Sequence, residues 1–350
     1  MDRLLLLLVQ QTPTWLHNYL RDNGYFRDVH DTLAMITLSV AMLFRPDLLY
    51  KHVIAGANMV THSYDNEKQD GGQKIIQEYK LTKTNDTSNT KQICLVFVHG
   101  GAWGSGRLFI YRLIAWNMAL HMGASKMCLV KYPVYPKSTI KQQVSCIENA
   151  MIYIKQNLTT DKDYQLVLSG HSSGANISSL AILNAANSVD NSQICDYFIG
   201  LAGVYSVYDH YFHERMRKVH EISPMYAAGE CKGEFELDKL HSVSPIFIAQ
   251  TALTITSRLP AMLFIHCTND DIVPDASTRK YVQILQQFGF NITADYHEVT
   301  HSLTRSLTHS LTHSLTEKGD HITPISDFVV NQKKSAIVKS VSNYVSKHMI

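Results

Sequence analysis

Ser172 sits at the centre of Gly170-His-Ser-Ser-Gly174, after the apolar run Leu166-Val-Leu168 and before Ala175 to Leu183, whose apolar residues recur at helical spacing. A serine hydroxyl becomes a useful nucleophile only when it is held in place beside a base. A strand that turns sharply into a helix does the holding, with glycines two before and two after so that neighbouring chain can pass close by. Upstream, Ile93-Cys-Leu-Val-Phe-Val98 runs into His99-Gly-Gly-Ala-Trp-Gly-Ser-Gly106. Attack on a carbonyl builds negative charge on its oxygen, and backbone N–H groups fixed in advance stabilise that charge without reorganising. Gly100, Gly101 and Ala102, together with Ser173, are the expected oxyanion donors. Each motif alone is an ordinary glycine turn; the two in this order, each at the end of a strand, point to acyl transfer.

Such chemistry also needs an acid and a base further along the chain. The run Ala261 to Ile265 leads into His266-Cys-Thr-Asn-Asp-Asp-Ile-Val-Pro274, so Asp270 is the expected acid, with Asp271 in reserve. Two histidines compete for the base: His301, in Glu298-Val-Thr-His-Ser302, and His321, in Lys318-Gly-Asp-His-Ile-Thr-Pro324. They stand 31 and 51 residues beyond Asp270, and setting aside the 16 residues of the repeat between them brings the second gap to 35. Either gap holds a helix, a strand and a loop. His301 heads the tetrapeptide repeat of residues 301–316 (His-Ser-Leu-Thr, Arg-Ser-Leu-Thr, then His-Ser-Leu-Thr twice), whereas a general base needs a fixed position. The reading therefore takes His321. The repeat period of four is too short for a solenoid, and although His309 and His313 would share a helical face, low complexity argues against a metal site there.

Several elements must position these groups. Ile75 to Leu81, Ile93 to Val98, Met127 to Lys131, Leu166 to Leu168, Tyr197 to Ala202, Ala261 to His266 and Ile292 to Val299 read as strands, with Thr82 to Thr90 as a hairpin loop. Residues 140–154, 277–288 and 335–349 read as helices. Alternation of this kind predicts an α/β fold with a doubly wound, mostly parallel sheet over 73–350. The long non-strand segment at about 203–258 is expected to form a helical lid. Residues 1–72 read as a partly hydrophobic helical appendage, ending in a polar linker from His62 to Gln73. Its apolar runs, Leu4 to Val9 and Leu33 to Phe44, are too short to span a bilayer, which takes about 20 residues. The second is expected either to be buried or to lie peripherally in a membrane interface.

Composition narrows the classes. Apolar residues make up 45% of the 350 and charged residues 18%, with a net charge of +2, which suits a folded enzyme and gives no basic excess for nucleic acid. Six scattered cysteines form no metal-ligand or C-x-x-C spacing and fit a reducing, intracellular setting. No metal or organic cofactor is expected. Asn-x-Ser/Thr triplets at Asn85, Asn157, Asn176 and Asn291 say little about secretion, because Asn176 lies on the helix after Ser172.

His99-Gly-Gly-Ala-Trp103, Gly170-His-Ser-Ser-Gly-Ala175 and Thr268-Asn-Asp-Asp-Ile-Val-Pro274 resemble α/β-hydrolase fold carboxylesterases. Tyr135-Pro-Lys137, Gly200 to Tyr205 and His220-Glu-Ile-Ser-Pro-Met225 are similar to the prenylcysteine methylesterase group and, more distantly, to kynurenine formamidase. The resemblance covers about Ile75 to Lys347. It implies a Ser-His-Asp serine esterase whose substrate is a small or lipid-like ester, such as the carboxyl methyl ester of a prenylated cysteine. A formamide, a generic short-acyl ester, or an inactive receptor on the same fold are the other readings. A cytoplasmic or membrane-associated location, such as the endoplasmic reticulum, is expected.

Overall fold

The computed structural model describes residues 14–57, 59–65, 74–81, 92–160, 163–254, 257–297, 321–329 and 335–349. Eight strands form one sheet: β1 (Met59–Ser63), β2 (Ile75–Lys80), β3 (Gln92–Val98), β4 (Lys126–Lys131), β5 (Tyr164–His171), β6 (Tyr197–Leu201), β7 (Ala261–Cys267) and β8 (Ile292–His297), in the order β1-β2-β4-β3-β5-β6-β7-β8. The two pairings β1–β2 and β2–β4 are antiparallel and the other five are parallel. Residues 93–98 of β3, 127–130 of β4 and 261–265 of β7 are continuous apolar runs because both faces of these strands are covered. One core lies on each side: Val96, Leu168 and Phe264 pack on one face, and Phe97, Val167 and Ile265 on the other.

Two of the expectations are corrected here. The expected loop Thr82 to Thr90 lies outside the described residues, and the strands β2 and β3 do not form a hairpin, since β2 pairs with β4 rather than with β3. β3 instead crosses over through the helix Leu108–His121 to β4, and the apolar β4 fills the place between them. The sheet also begins earlier than the alternation suggests, at Met59, in an edge strand whose partly exposed pattern carries little periodicity.

Before the sheet come three helices, α1 (Thr14–Asp22), α2 (Tyr25–Phe44) and α3 (Pro46–Ala57). The apolar run Leu33 to Phe44 is the second half of α2, and it is not wholly buried: Ile36, Leu43 and Phe44 are exposed. With Thr32, Met35, Ser39 and Arg107, Ile36 and Leu43 line a groove of about 380 Å³. Among the described residues no helix is long and apolar enough to cross a membrane. Asp31, one turn before Met35 on α2, is buried, accepts the Gly106 N–H at 2.9 Å and faces Arg107 Nε at 3.3 Å, which fixes the appendage to the end of the His99–Gly106 loop.

Helix α4 is Leu108–His121 and α5 is Ile140–Tyr153, the latter opened by a Thr139–Gln142 capping box. Helix α6 (Ser173–Ala186) follows β5 directly. Between β6 and β7 the chain forms α7 (Val207–Met216), α8 (Pro224–Ala228), a 3₁₀ segment Glu234–Val243 and α9 (Pro245–Ala252). Helices α10 (Asp275–Gln287), α11 (Thr323–Ser326) and α12 (Ala336–His348) complete the chain.

Candidate active site

Ser172 lies between the last residue of β5 and the first of α6, with φ 54° and ψ −124°. A non-glycine residue there is strained, and it persists only because its surroundings over-determine it. The Ser172 N–H donates to the Leu201 carbonyl at 2.9 Å, and the Ser172 carbonyl accepts from Ala175 and Asn176. A Cβ on Gly174 would come within 2.4 Å of the Val98 and His99 carbonyls, so only glycine lets α6 pack against the end of β3. That contact sets the elbow beside the His99–Gly106 loop, where Gly100 lies so close that its own Cβ would stand 3.0 Å from the Ser172 Cβ.

The structure brings Ser172, His321 and Asp270 together. His321 Nδ1 is 2.8 Å from Asp270 Oδ2, and His321 Nε2 is 2.8 Å from Ser172 Oγ. An ionised carboxylate only accepts, so Nδ1 carries the proton, and Nε2 is left to accept from the serine hydroxyl. All three residues are at most 7% exposed. Asp271 is exposed, and its carbonyl accepts the His213 Nε2–H at 2.8 Å. His301, like the rest of the repeat, lies outside the described residues.

Asp270 is heavily partnered. Its Oδ1 accepts the N–H groups of Ile272 (2.9 Å) and Val273 (2.8 Å), and His266 Nε2 stands 3.3 Å from Oδ2. Burial alone pushes this carboxyl up, but the nearby imidazoles of His321 and His266 and their hydrogen bonds outweigh it, so Asp270 is held below the usual carboxylate range. His171, inside the serine motif, points its Nε2–H at the His321 carbonyl at 3.1 Å. Burial lowers the His171 imidazole to about 3, so it stays neutral and holds the histidine loop by a hydrogen bond without added charge.

In the loop His99–Gly106, Gly101, Ala102 and Trp103 all have positive φ. Its turn is closed by the Gly104 and Ser105 N–H groups on the Gly101 carbonyl. Among the described residues no backbone carbonyl takes the N–H groups of Gly101, Ala102 or Ser173. Buried Asn176 braces the loop: its Oδ1 accepts the Trp103 Nε1–H at 3.1 Å, and its Nδ2 donates to the carbonyls of Val204 (3.0 Å) and Val243 (3.1 Å). Sequence reasoning missed His171, His266 and Asn176 as site residues. His171 occupies a free position of its motif, His266 lies within a strand that reads simply as apolar, four residues before Asp270, and Asn176 acts through partners that are remote in the chain.

A mostly parallel sheet with a serine elbow at the end of its central strand defines an α/β-hydrolase. The chain belongs to the BD-FAE family, whose model matches residues 82–285. It is 26% identical over 216 residues to an Arabidopsis thaliana protein named "Probable isoprenylcysteine alpha-carbonyl methylesterase", covering 56% of this chain and 42% of that protein. A rice protein of similar name (Oryza sativa subsp. japonica) is 28% identical over 210 residues, covering 56% and 48%. The chain thus spans about half the length of the curated relatives it matches. The fold is shared with a Pyrobaculum calidifontis esterase (TM-score 0.59, 15% identity, 89% of this chain and 94% of that one). It is shared equally with carboxyl esterase 2 of Tuber melanosporum (TM-score 0.59, 14% identity, 83% and 87%).

Proposed function

We propose that the chain is a serine hydrolase of carboxylic esters, with Ser172 as nucleophile, His321 as base and Asp270 as its orienting acid. The observation that carries this reading is the pair of 2.8 Å bonds from Ser172 through His321 to Asp270, built on a serine held at positive φ. Ser172 Oγ attacks the ester carbonyl as its proton passes to His321 Nε2. The negative oxygen is held by the N–H groups of Gly101, Ala102 and Ser173, with Gly100 giving the loop its close approach. Collapse expels the alkoxide, which takes the proton from His321 and leaves as the alcohol. Water then attacks the acyl-serine by the same route, releasing the acid and restoring Ser172.

The test is labelling by a fluorophosphonate, which reacts only with an activated serine, combined with Ser172→Ala. Labelling should be lost in the variant, and kcat on p-nitrophenyl acetate should fall by roughly a million-fold. An active wild type with an unchanged variant sinks the assignment, and a wild type that neither labels nor turns over points to an inactive binding protein on this fold.

For the substrate, the names of the relatives support the carboxyl methyl ester of a prenylated cysteine. Farnesylcysteine methyl ester should be hydrolysed faster than N-formylkynurenine or p-nitrophenyl acetate, and a strong preference for the formamide would reverse this order. The exposed Ile36, Leu43, Phe44, Tyr50 and Val53 on α2 and α3 support peripheral contact with an intracellular membrane. Replacing Leu43 and Phe44 by Ser should reduce sedimentation with liposomes, and equal sedimentation of the two proteins would remove this part of the proposal.

A further inference from the structure

The buried ring of His171 has work for both of its nitrogens. Its Nε2–H donates to the His321 carbonyl at 3.1 Å, and burial keeps the imidazole neutral. A neutral imidazole carries one proton, so Nδ1 is left as an acceptor and calls for a donor. Among the described residues the polar group that reaches it is the Tyr111 hydroxyl, at 3.5 Å. Tyr111 stands in the first turn of α4 and is 8% exposed. Burial raises its phenol, which therefore keeps its proton. The protons then run one way, from the Tyr111 O–H to His171 Nδ1 and from His171 Nε2–H to the His321 carbonyl. A carbonyl can only accept and a phenol can give, so both ends of the ring call for the same tautomer.

A ring pinned at both nitrogens is fixed in its plane. Pinned at Nε2 alone, it is free to tilt and carries a buried acceptor without a donor. The His321 carbonyl belongs to the residue whose own Nε2 meets Ser172 Oγ at 2.8 Å, so a tilt of His171 is felt at the reacting hydroxyl. The two imidazoles are themselves in contact, with ring centres 4.9 Å apart. Tyr111 also belongs to the other side of the site. Helix α4 begins two residues after the His99–Gly106 loop, the Tyr111 ring centre lies 5.8 Å from that of His99, and a Cβ on Gly100 would stand 3.1 Å from His171 Nδ1.

We infer that Tyr111 is a positioning residue of the reaction: by donating to His171 Nδ1 it fixes the ring that holds the His321 backbone, and so keeps the base in register with the His99–Gly106 loop. The inference rests on the esterase reading and concerns how the base proposed there is held.

The experiment is a cycle of Tyr111→Phe, His171→Leu and the double variant, read by kcat and KM on p-nitrophenyl acetate. At 3.5 Å the contact is a long hydrogen bond between neutral groups, so Tyr111→Phe should lower kcat by roughly 3- to 10-fold with KM little changed. Because Tyr111 acts through His171, adding Tyr111→Phe to His171→Leu should change kcat by less than about two-fold. The same loss in both backgrounds makes Tyr111 independent of His171 and overturns the inference, as does an unchanged kcat in Tyr111→Phe alone. Should His171→Leu fail to fold, nitrogen NMR of histidine-labelled protein takes its place. Loss of the hydroxyl should then move the acceptor-nitrogen resonance of one neutral imidazole, and a histidine spectrum identical to that of the wild type overturns the inference. Either overturning result, in a wild type that labels with fluorophosphonate and hydrolyses the ester, leaves the esterase reading standing. A wild type that neither labels nor hydrolyses removes both.

Discussion

Asp270 serves two imidazoles with one oxygen and two backbone N–H groups with the other, and so is held ionised in a buried site. A carboxylate in that state fixes the His321 tautomer that leaves Nε2 free for Ser172. Asp270→Asn keeps the shape but lets the amide donate toward Nδ1, which reverses the tautomer. The expected outcome is a fall in kcat of about 10⁴-fold with KM little changed, measured on a short ester. Because its folded pKa is depressed, the carboxylate contributes stability that is present above its unfolded value of about 3.9 and lost as pH falls below it. Ser172 and the glycines around it are legible in the sequence because an elbow is local: one backbone strain, two close approaches, five residues. Asp270 and His321 are legible as a chain order and a loop pattern. The hold of His171 on the His321 carbonyl joins residues 150 positions apart, and no spacing rule reaches that far.

At the scale of elements, the parallel strands are readable because a strand covered on both faces carries an unbroken apolar run, as 93–98 of β3 and 261–265 of β7 do. The antiparallel edge is harder to read, because its inward positions carry charge. Glu78 on β2 and Lys126 on β4 are both buried and paired at 3.1 Å, and His62 on β1 approaches the other Glu78 oxygen at 2.9 Å. This small polar network joins three strands where the alternation would predict hydrocarbon. Glu78→Leu removes the buried carboxylate that Lys126 and His62 share, at an expected cost of about 3–5 kcal/mol in urea unfolding. A loss of less than about 1 kcal/mol would mean that the pair is solvated in solution. Gly174→Ala is the corresponding test at the elbow. Pushing a methyl against two carbonyls should cost about 1–3 kcal/mol and displace Ser172, so activity should fall further than stability alone explains.

Across the whole molecule, the appendage and the sheet meet at buried groups that resist protonation. His52, on α3 and edge-on to Phe109, has no hydrogen-bond partner for either ring nitrogen among the described residues, and its burial, with Arg112 nearby, lowers it to about 4. Burial likewise lowers His99 to about 4. Each of these groups binds its proton more readily when unfolded, so stability is complete above about pH 6.5 and falls as pH drops toward 4. The melting temperature should therefore decline over that interval, and His52→Leu should decline less steeply; parallel curves would exclude His52 as a source of the effect. Asn176 extends the argument to how the chain is made. It heads an Asn-Ile-Ser triplet, yet its amide is spent on Trp103, Val204 and Val243. In a cell that exports this chain through a glycosylating compartment, folding and sugar transfer would race for the same nitrogen. A sugar that arrived first would take a donor from the lid and could not be enclosed by the fold. Exported chains should divide into a heavier, inactive fraction and a lighter, active one, and slowing glycosyl transfer should raise the yield of the lighter.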